Sequence, residues 1–214
     1  MKITSFDPAY HIGIKVNPTM HVSTLRQKII PKFKETEFSN VAPERLPSNV
    51  KHEIEVLAND GTVKIEINYQ LNALNTEGED SESTTKTFEK LLSILKELNY
   101  EIKGFSTSID IVTNVIVSTD KVPTKLINDS VKCNLEPWRE LNPNTNVNGL
   151  KINLIDEEYA KQSLTLLVGP SSLSPTTAIV VSIRYLTLEP DLIIDFGKKL
   201  NQRLIKFLES LGGE

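Results

Sequence analysis

Thr62-Val63-Lys64-Ile65-Glu66-Ile67-Asn68-Tyr69-Gln70-Leu71-Asn72-Ala73 alternates apolar and polar positions without a break. Val63, Ile65, Ile67, Tyr69, Leu71 and Ala73 share one side, and period two over such a length predicts one long strand with a dry face. Just upstream, Ile54, Val56 and Ala58 alternate more weakly, and Asn59-Asp60-Gly61 supplies the backbone of a tight hairpin. Downstream, Phe88, Leu91, Leu92, Leu95 and Leu98 recur at helical spacing, so a helix is expected to cover the dry face. Residues 76–83 are the most polar stretch and read as a solvated loop whose last Ser or Thr caps that helix. Their spacing is not that of a calcium loop.

Toward the N-terminus, Tyr10, Ile12, Ile14 and Val16 define a first strand, with His11, Gly13 and Lys15 on its other side and Asn17-Pro18 as its stop. Ser23 or Thr24 can cap a helix with Leu25, Ile29 and Phe33 inside. Pro31 predicts a kink near Ile30 or an early end. Residues 35–49, with Pro43 and Pro47, read as a surface connection. Beyond residue 98, Phe105, Ile109, Ile111, Val115 and Val117 mark a second long strand. The order strand, helix, strand, strand, helix, strand is that of a ferredoxin-like βαββαβ unit over residues 1–120.

Residues 121–214 read as strand-rich. A short strand is expected at 131–135, an Asn- and Pro-rich loop at 136–148, and strands at 150–154, 164–168 and 178–188. Pro190 then suits the first turn of a closing helix, whose apolar stripe is Leu192, Phe196, Leu200, Leu204, Phe207, Leu208 and Leu211. The expectation is one α+β domain over residues 1–214. It is a two-layer sandwich with a mostly antiparallel sheet and about three helices on one face.

Composition bounds the function classes. A chain of 214 residues can bury about 70% of its unfolded surface, enough for a core without staples. No apolar run approaches a membrane span, and residues 1–8 hold neither a long apolar segment nor a small-residue cleavage site, so export is not expected. Cys133, as the lone cysteine, permits no internal disulfide, so a cytoplasmic setting is expected. Residues 1–50 carry seven Lys and Arg against four Asp and Glu, a balance of +3. That is a weak footprint for phosphate, and nucleic-acid binding is unsupported.

Three stretches resemble an uncharacterised, sporadically distributed family of prokaryotic proteins. They are residues 8–38, Glu55-Val56-Leu57-Ala58-Asn59-Asp60-Gly61-Thr62-Val63-Lys64-Ile65 followed by Phe88-Glu89-Lys90-Leu91-Leu92, and Leu192-Ile193-Ile194-Asp195 leading into residues 204–211. Together they span about half of the chain. The resemblance implies a shared fold and no known activity, so it supplies no site residues.

A search for chemistry finds no phosphate-binding loop among nine scattered glycines. Gly104-Phe105-Ser106-Thr107-Ser108 lacks the closing glycine of a nucleophile elbow. His11, His21 and His52 could meet at one end of the sheet, but no carboxylate or cysteine stands at metal-ligand spacing, and no metal or cofactor is expected. Trp138 and Arg139, adjacent in a loop, have the chemistry of a binding hot spot. Arg26, Lys28, Lys32, Lys34 and Arg45 are the cations that a nucleic-acid reading would use. The sequence therefore points away from catalysis and toward a binding or assembly protein, a homodimer or a partner to another protein, joined by a sheet edge or the final helix. A carrier for a small apolar molecule under that helix is the second expectation.

Overall fold

The computed structural model describes residues 3–36, 38, 40–44, 53–130, 149–155 and 162–211. In chain order the first half contains β1 (Ile3–Val16), α1 (Val22–Lys34), β2 (Asn40–Val41), β3 (Ile54–Asn59), β4 (Val63–Asn68), β5 (Ala73–Gly78), α2 (Ser81–Glu97) and α3 (Ile102–Phe105). Then follow β6 (Ser106–Thr119), α4 (Pro123–Ser130), β7 (Leu150–Ile155), β8 (Gln162–Pro170), β9 (Ala178–Thr187) and α5 (Pro190–Leu211). The described strands form one sheet in the order β2-β3-β4-β5-β1-β6-β9-β8-β7, and every neighbouring pair is antiparallel. The fold is mixed α+β, with a large antiparallel sheet and five helices among the described residues, where about three helices were expected.

The uninterrupted alternation of residues 62–73 conceals a turn. β4 stops at Asn68 and β5 starts at Ala73, with Asn68 and Ala73 facing each other in the ladder. Asn68 Oδ1 accepts from the Leu71 N–H at 2.8 Å, which begins the reversal. Asn72 completes it with φ of 50°, a left-handed conformation that asparagine tolerates better than most residues. The Asn72 amide then donates to Met20 O at 2.8 Å and accepts from the Val22 N–H at 3.0 Å, pinning the turn to the start of α1. Leu71, expected on the dry face, is 59% exposed as a consequence.

Residues 76–78 are corrected for the same reason. They end β5, a strand hydrogen-bonded to both β4 and β1, instead of opening a solvated loop. Thr76 is fully buried there and its hydroxyl donates to Ile12 O at 3.4 Å. Helix α2 begins earlier than expected, with Asp80 as its N-cap accepting from the Ser83 N–H at 2.7 Å. In α1 the cap is His21, whose Nδ1 accepts from the Ser23 N–H, and the helix continues past Pro31 to Lys34. The hairpin at Asn59-Asp60-Gly61 forms as expected; Asp60 Oδ1 accepts from the N–H groups of Thr62 and Val63 at 2.9 and 2.8 Å.

The core gathers alternate residues of the strands, among them Tyr10, Ile12, Ile14, Ile65, Ile67, Ile111, Val115 and Val181, with buried residues of α1, α2, α4 and α5. Helix α2 packs against β5, β1 and β4, while α5 packs against α2, β6 and β9. The buried stripe of α5 is Ile193, Gly197, Leu200, Leu204 and Leu208, so Leu192 lies outside it at 41% exposed. Each large apolar side chain so buried contributes about 1.5 to 3 kcal/mol before entropy. Gly197 lets the two helices approach closely, because a Cβ there would run into Thr85 Oγ1. The strand expected at 131–135 and the loop at 136–148 lie outside the described residues.

Candidate functional site

Pairing every second residue of a strand into the core leaves the intervening residues on the other face of the sheet. Three rows of them cross the middle strands. Glu66, Asn75, Gly13 and Asp110 stand side by side on β4, β5, β1 and β6. Next to them run Lys64, Glu77, His11, Val112 and, on β9, Arg184. On the other flank run Asn68, Ala73, Lys15 and Ser108. All of these except Lys64 line a hollow of about 360 Å³.

Gly13 makes the hollow deep at its centre. A Cβ on Gly13 would lie 3.0 Å from Asn75 Oδ1, 3.0 Å from Asp110 Oδ1 and 3.6 Å from His11 Nε2. A side chain at this position would fill the space on which those three atoms converge. Glycine inside a strand usually marks such a close approach.

The charges around this floor are mostly paired. Arg184 donates from Nε and Nη2 to Asp110 Oδ2, at 3.0 and 2.8 Å, which leaves Oδ1 turned to the hollow. Lys64 Nζ lies 2.9 Å from Glu66 Oε1 and 3.3 Å from Glu77 Oε2. Its bond to Glu66 raises the Lys64 ammonium above its ordinary pKa. Asn75 differs from these groups. It is 6% exposed, and its side-chain amide makes no hydrogen bond among the described residues. Its amide opens on the hollow, whereas Thr113 Oγ1 is fully buried with no partner among the described residues. Lys15, exposed at the rim, has no ion pair among the described residues.

Two other hollows are less organised. One of about 720 Å³ lies beside the end of α2 and the start of α5, and one of about 330 Å³ lies at the hairpin of Gly61. Neither is lined by a buried polar side chain.

The residues singled out from sequence fall elsewhere. Arg26 is 2% exposed and anchors α1 to β3: its Nε and Nη2 bond both oxygens of Glu55 at 2.7 to 3.1 Å, and Nη1 and Nη2 bond the carbonyls of Glu44 and Pro43. Tyr69 Oη donates to Glu55 Oε2 at 2.6 Å. The bond to Glu55 raises the Arg26 pKa, and burial followed by the same carboxylate raises that of the Tyr69 phenol. Lys28 and Lys32 both face the far end of α2, Lys28 over the Tyr100 ring at 5.4 Å and Lys32 within 3.5 Å of Glu97 and 3.1 Å of Glu35. Lys34 pairs with Glu44 at 2.6 Å. Trp138, Arg139, Arg45, His52 and Cys133 lie outside the described residues. His11 lines the hollow, whereas His21 is spent on its cap. Among the described residues no group of three or more His, Cys, Asp or Glu could hold a metal ion, and no helix is long and apolar enough to cross a membrane.

Reading residues 76–83 as a loop hid β5, and with it Asn75. The signal that could have revealed the floor is Gly13 itself, a glycine between His11 and Lys15 in an otherwise regular strand. No protein-family model, curated protein or solved structure matches the chain.

Proposed function

We propose that the protein is a binding protein, not an enzyme, and that its ligand sits on the polar face of the sheet over Gly13. The observation that carries this reading is the hollow itself, on whose floor Asn75, without a hydrogen bond among the described residues, opens its amide beside Gly13 and Asp110. An amide in such a hollow bonds whatever fills it, water or a ligand. Against catalysis stands the same geometry, since Asp110, Glu66 and Glu77 are each held in an ion pair.

For the N-terminal half we infer a ferredoxin-like unit with an added hairpin arm. β4, β5, β1 and β6 stand in that order, α2 lies between β5 and β6 in the chain, and β3 and β2 extend the sheet outside β4. The core cluster among the described residues joins α1, α2, α4 and α5 to the apolar side of the sheet, which supports helices gathered there and a Gly13 side left open. One cysteine in 214 residues supports a reducing, cytoplasmic setting.

Native mass spectrometry of protein purified without denaturation tests the reading, comparing wild type with Gly13→Ser. The expected result is a small molecule carried by the wild type and lost from a folded Gly13→Ser variant. Equal retention by both contradicts the reading. So does a wild type that carries nothing and gains no thermal stability from a panel of amines, amino acids and nucleotides.

A further inference from the structure

Resting on that binding reading, we propose that the ligand is a small carboxylic acid with a hydrocarbon tail, its carboxylate held by Lys15 and Ser108 and its tail laid toward Ile54 and Leu71. One row of the sheet carries both ends of this arrangement. Ile54, Asn68, Ala73, Lys15 and Ser108 stand side by side on β3, β4, β5, β1 and β6, and all five line the hollow. Lys15 lies three strands from Ile54, about 14 Å at the usual strand spacing. Between them stand Asn68 and Ala73, which carry no charge, and Ala73 is small and buried, so the row is low in its middle.

The sign of the charge follows from what is already engaged. Asp110 is paired with Arg184, and Glu66 and Glu77 are paired with Lys64, whereas Lys15 has no ion pair among the described residues. The neighbouring Ser108 hydroxyl likewise makes no hydrogen bond among them. An ammonium and a hydroxyl on adjacent strands give a carboxylate one donor for each oxygen, one of them charge-assisted. Glu66 and Glu77 share a single lysine, and that surplus of negative charge, on the rows beyond Lys15, favours a singly charged anion over a dianion such as phosphate. Ile54 and Leu71 are 50% and 59% exposed, an apolar wall that a tail would remove from water. The hollow, about 360 Å³, has the volume of a small-molecule pocket.

The test is a titration of the full chain with hexanoate, followed by ¹H–¹⁵N chemical shifts at constant ionic strength. Shifts are expected at Lys15 and Ser108 and at Ile54 and Leu71, with binding weakened about tenfold or more by Lys15→Met, as loss of a charge-assisted hydrogen bond requires. Lys15→Arg, which keeps the charge, is expected to retain most of the affinity, and Ser108→Ala provides a further comparison should Lys15→Met not fold. Hexylammonium has the same tail and the opposite charge, and is expected to leave these signals in place. Acetate has the head group alone, and is expected to bind far more weakly. The proposal is overturned if hexylammonium, acetate or inorganic phosphate binds as well as hexanoate, if Lys15→Met binds hexanoate undiminished, or if hexanoate leaves these residues unmoved. In the last case, a co-purified ligand still lost from Gly13→Ser would remove the acid and keep the binding face. Loss of both results would remove the face itself.

Discussion

Arg26 and Glu55 close a two-pronged ion pair between α1 and β3, with Nη2 to Oε1 at 2.7 Å and Nε to Oε2 at 2.8 Å. The side chains are 2% and 11% exposed, and Tyr69 together with the carbonyls of Pro43 and Glu44 completes the shell. Removing one member of a buried pair strands the other. Arg26→Met is therefore expected to cost about 3 to 5 kcal/mol in urea denaturation. Arg26→Lys should recover only part of that loss, because an ammonium cannot span two carboxylate oxygens as a guanidinium does. A loss below about 1 kcal/mol, the range of surface pairs, would show that the contact does not hold α1 in place.

Two asparagines with positive φ should respond in opposite ways to glycine. Asn72, at φ 50°, holds the 69–72 turn and bonds Met20 O and the Val22 N–H through its side chain. Asn99, at φ 61°, lies exposed just beyond α2. Asn99→Gly relieves left-handed strain and is expected to be neutral or to raise stability by up to about 1 kcal/mol. Asn72→Gly relieves the same strain but gives up two anchoring bonds, for an expected loss of about 1 to 3 kcal/mol. Thermal unfolding of the two variants separates these outcomes, and equal shifts would contradict the role given to Asn72.

The same turn marks the limit of what the residues alone revealed. Strands whose alternate residues enter the core were legible, as at Ile109, Ile111, Val115 and Val117 in β6, because burial imposes period two. Asn68 to Asn72 kept that period by coincidence while the backbone reversed, since the side-chain bonds that drive the reversal leave no mark on hydropathy. β5 was illegible because Asn75 and Glu77 face a polar hollow and Thr76 satisfies itself on Ile12 O, so a central strand carries a loop's composition. Arg26 looked like a surface cation because its partner Glu55 stands 29 residues away. The floor of the site needed four strands in register, and only Gly13 hinted at it.

Acid should loosen the start of α2 and the β3–β4 hairpin first. The Ser83 N–H holds the Asp80 carboxyl below its ordinary value of 3.8. Burial pushes Asp60 up, but hydrogen bonds from Val63 and Thr62 outweigh it and its pKa is also lowered. A carboxyl with a lowered folded-state pKa stabilises fully above its unfolded value, and that stabilisation is lost as pH falls through the folded one. The stability difference between wild type and Asp80→Ala should thus be constant near neutrality and shrink once pH drops below about 4. Chemical denaturation at a series of pH values checks this, and a difference that grows on acidification would contradict the assignment of Asp80 as the cap.

The amide of Asn75 is either a structural group or one held ready for a ligand, and Asn75→Leu tells the two apart. Leucine has nearly the same size and leaves nothing unbonded. If the amide waits for a ligand, the variant should be at least as stable as the empty wild type and should no longer retain a bound molecule. The decisive measurement is the unfolding free energy of ligand-free wild type and Asn75→Leu in parallel. Equal or greater stability in the variant supports a binding face over Gly13. A loss of 1 kcal/mol or more would mean that Asn75 already serves the fold, and would contradict the face as a site.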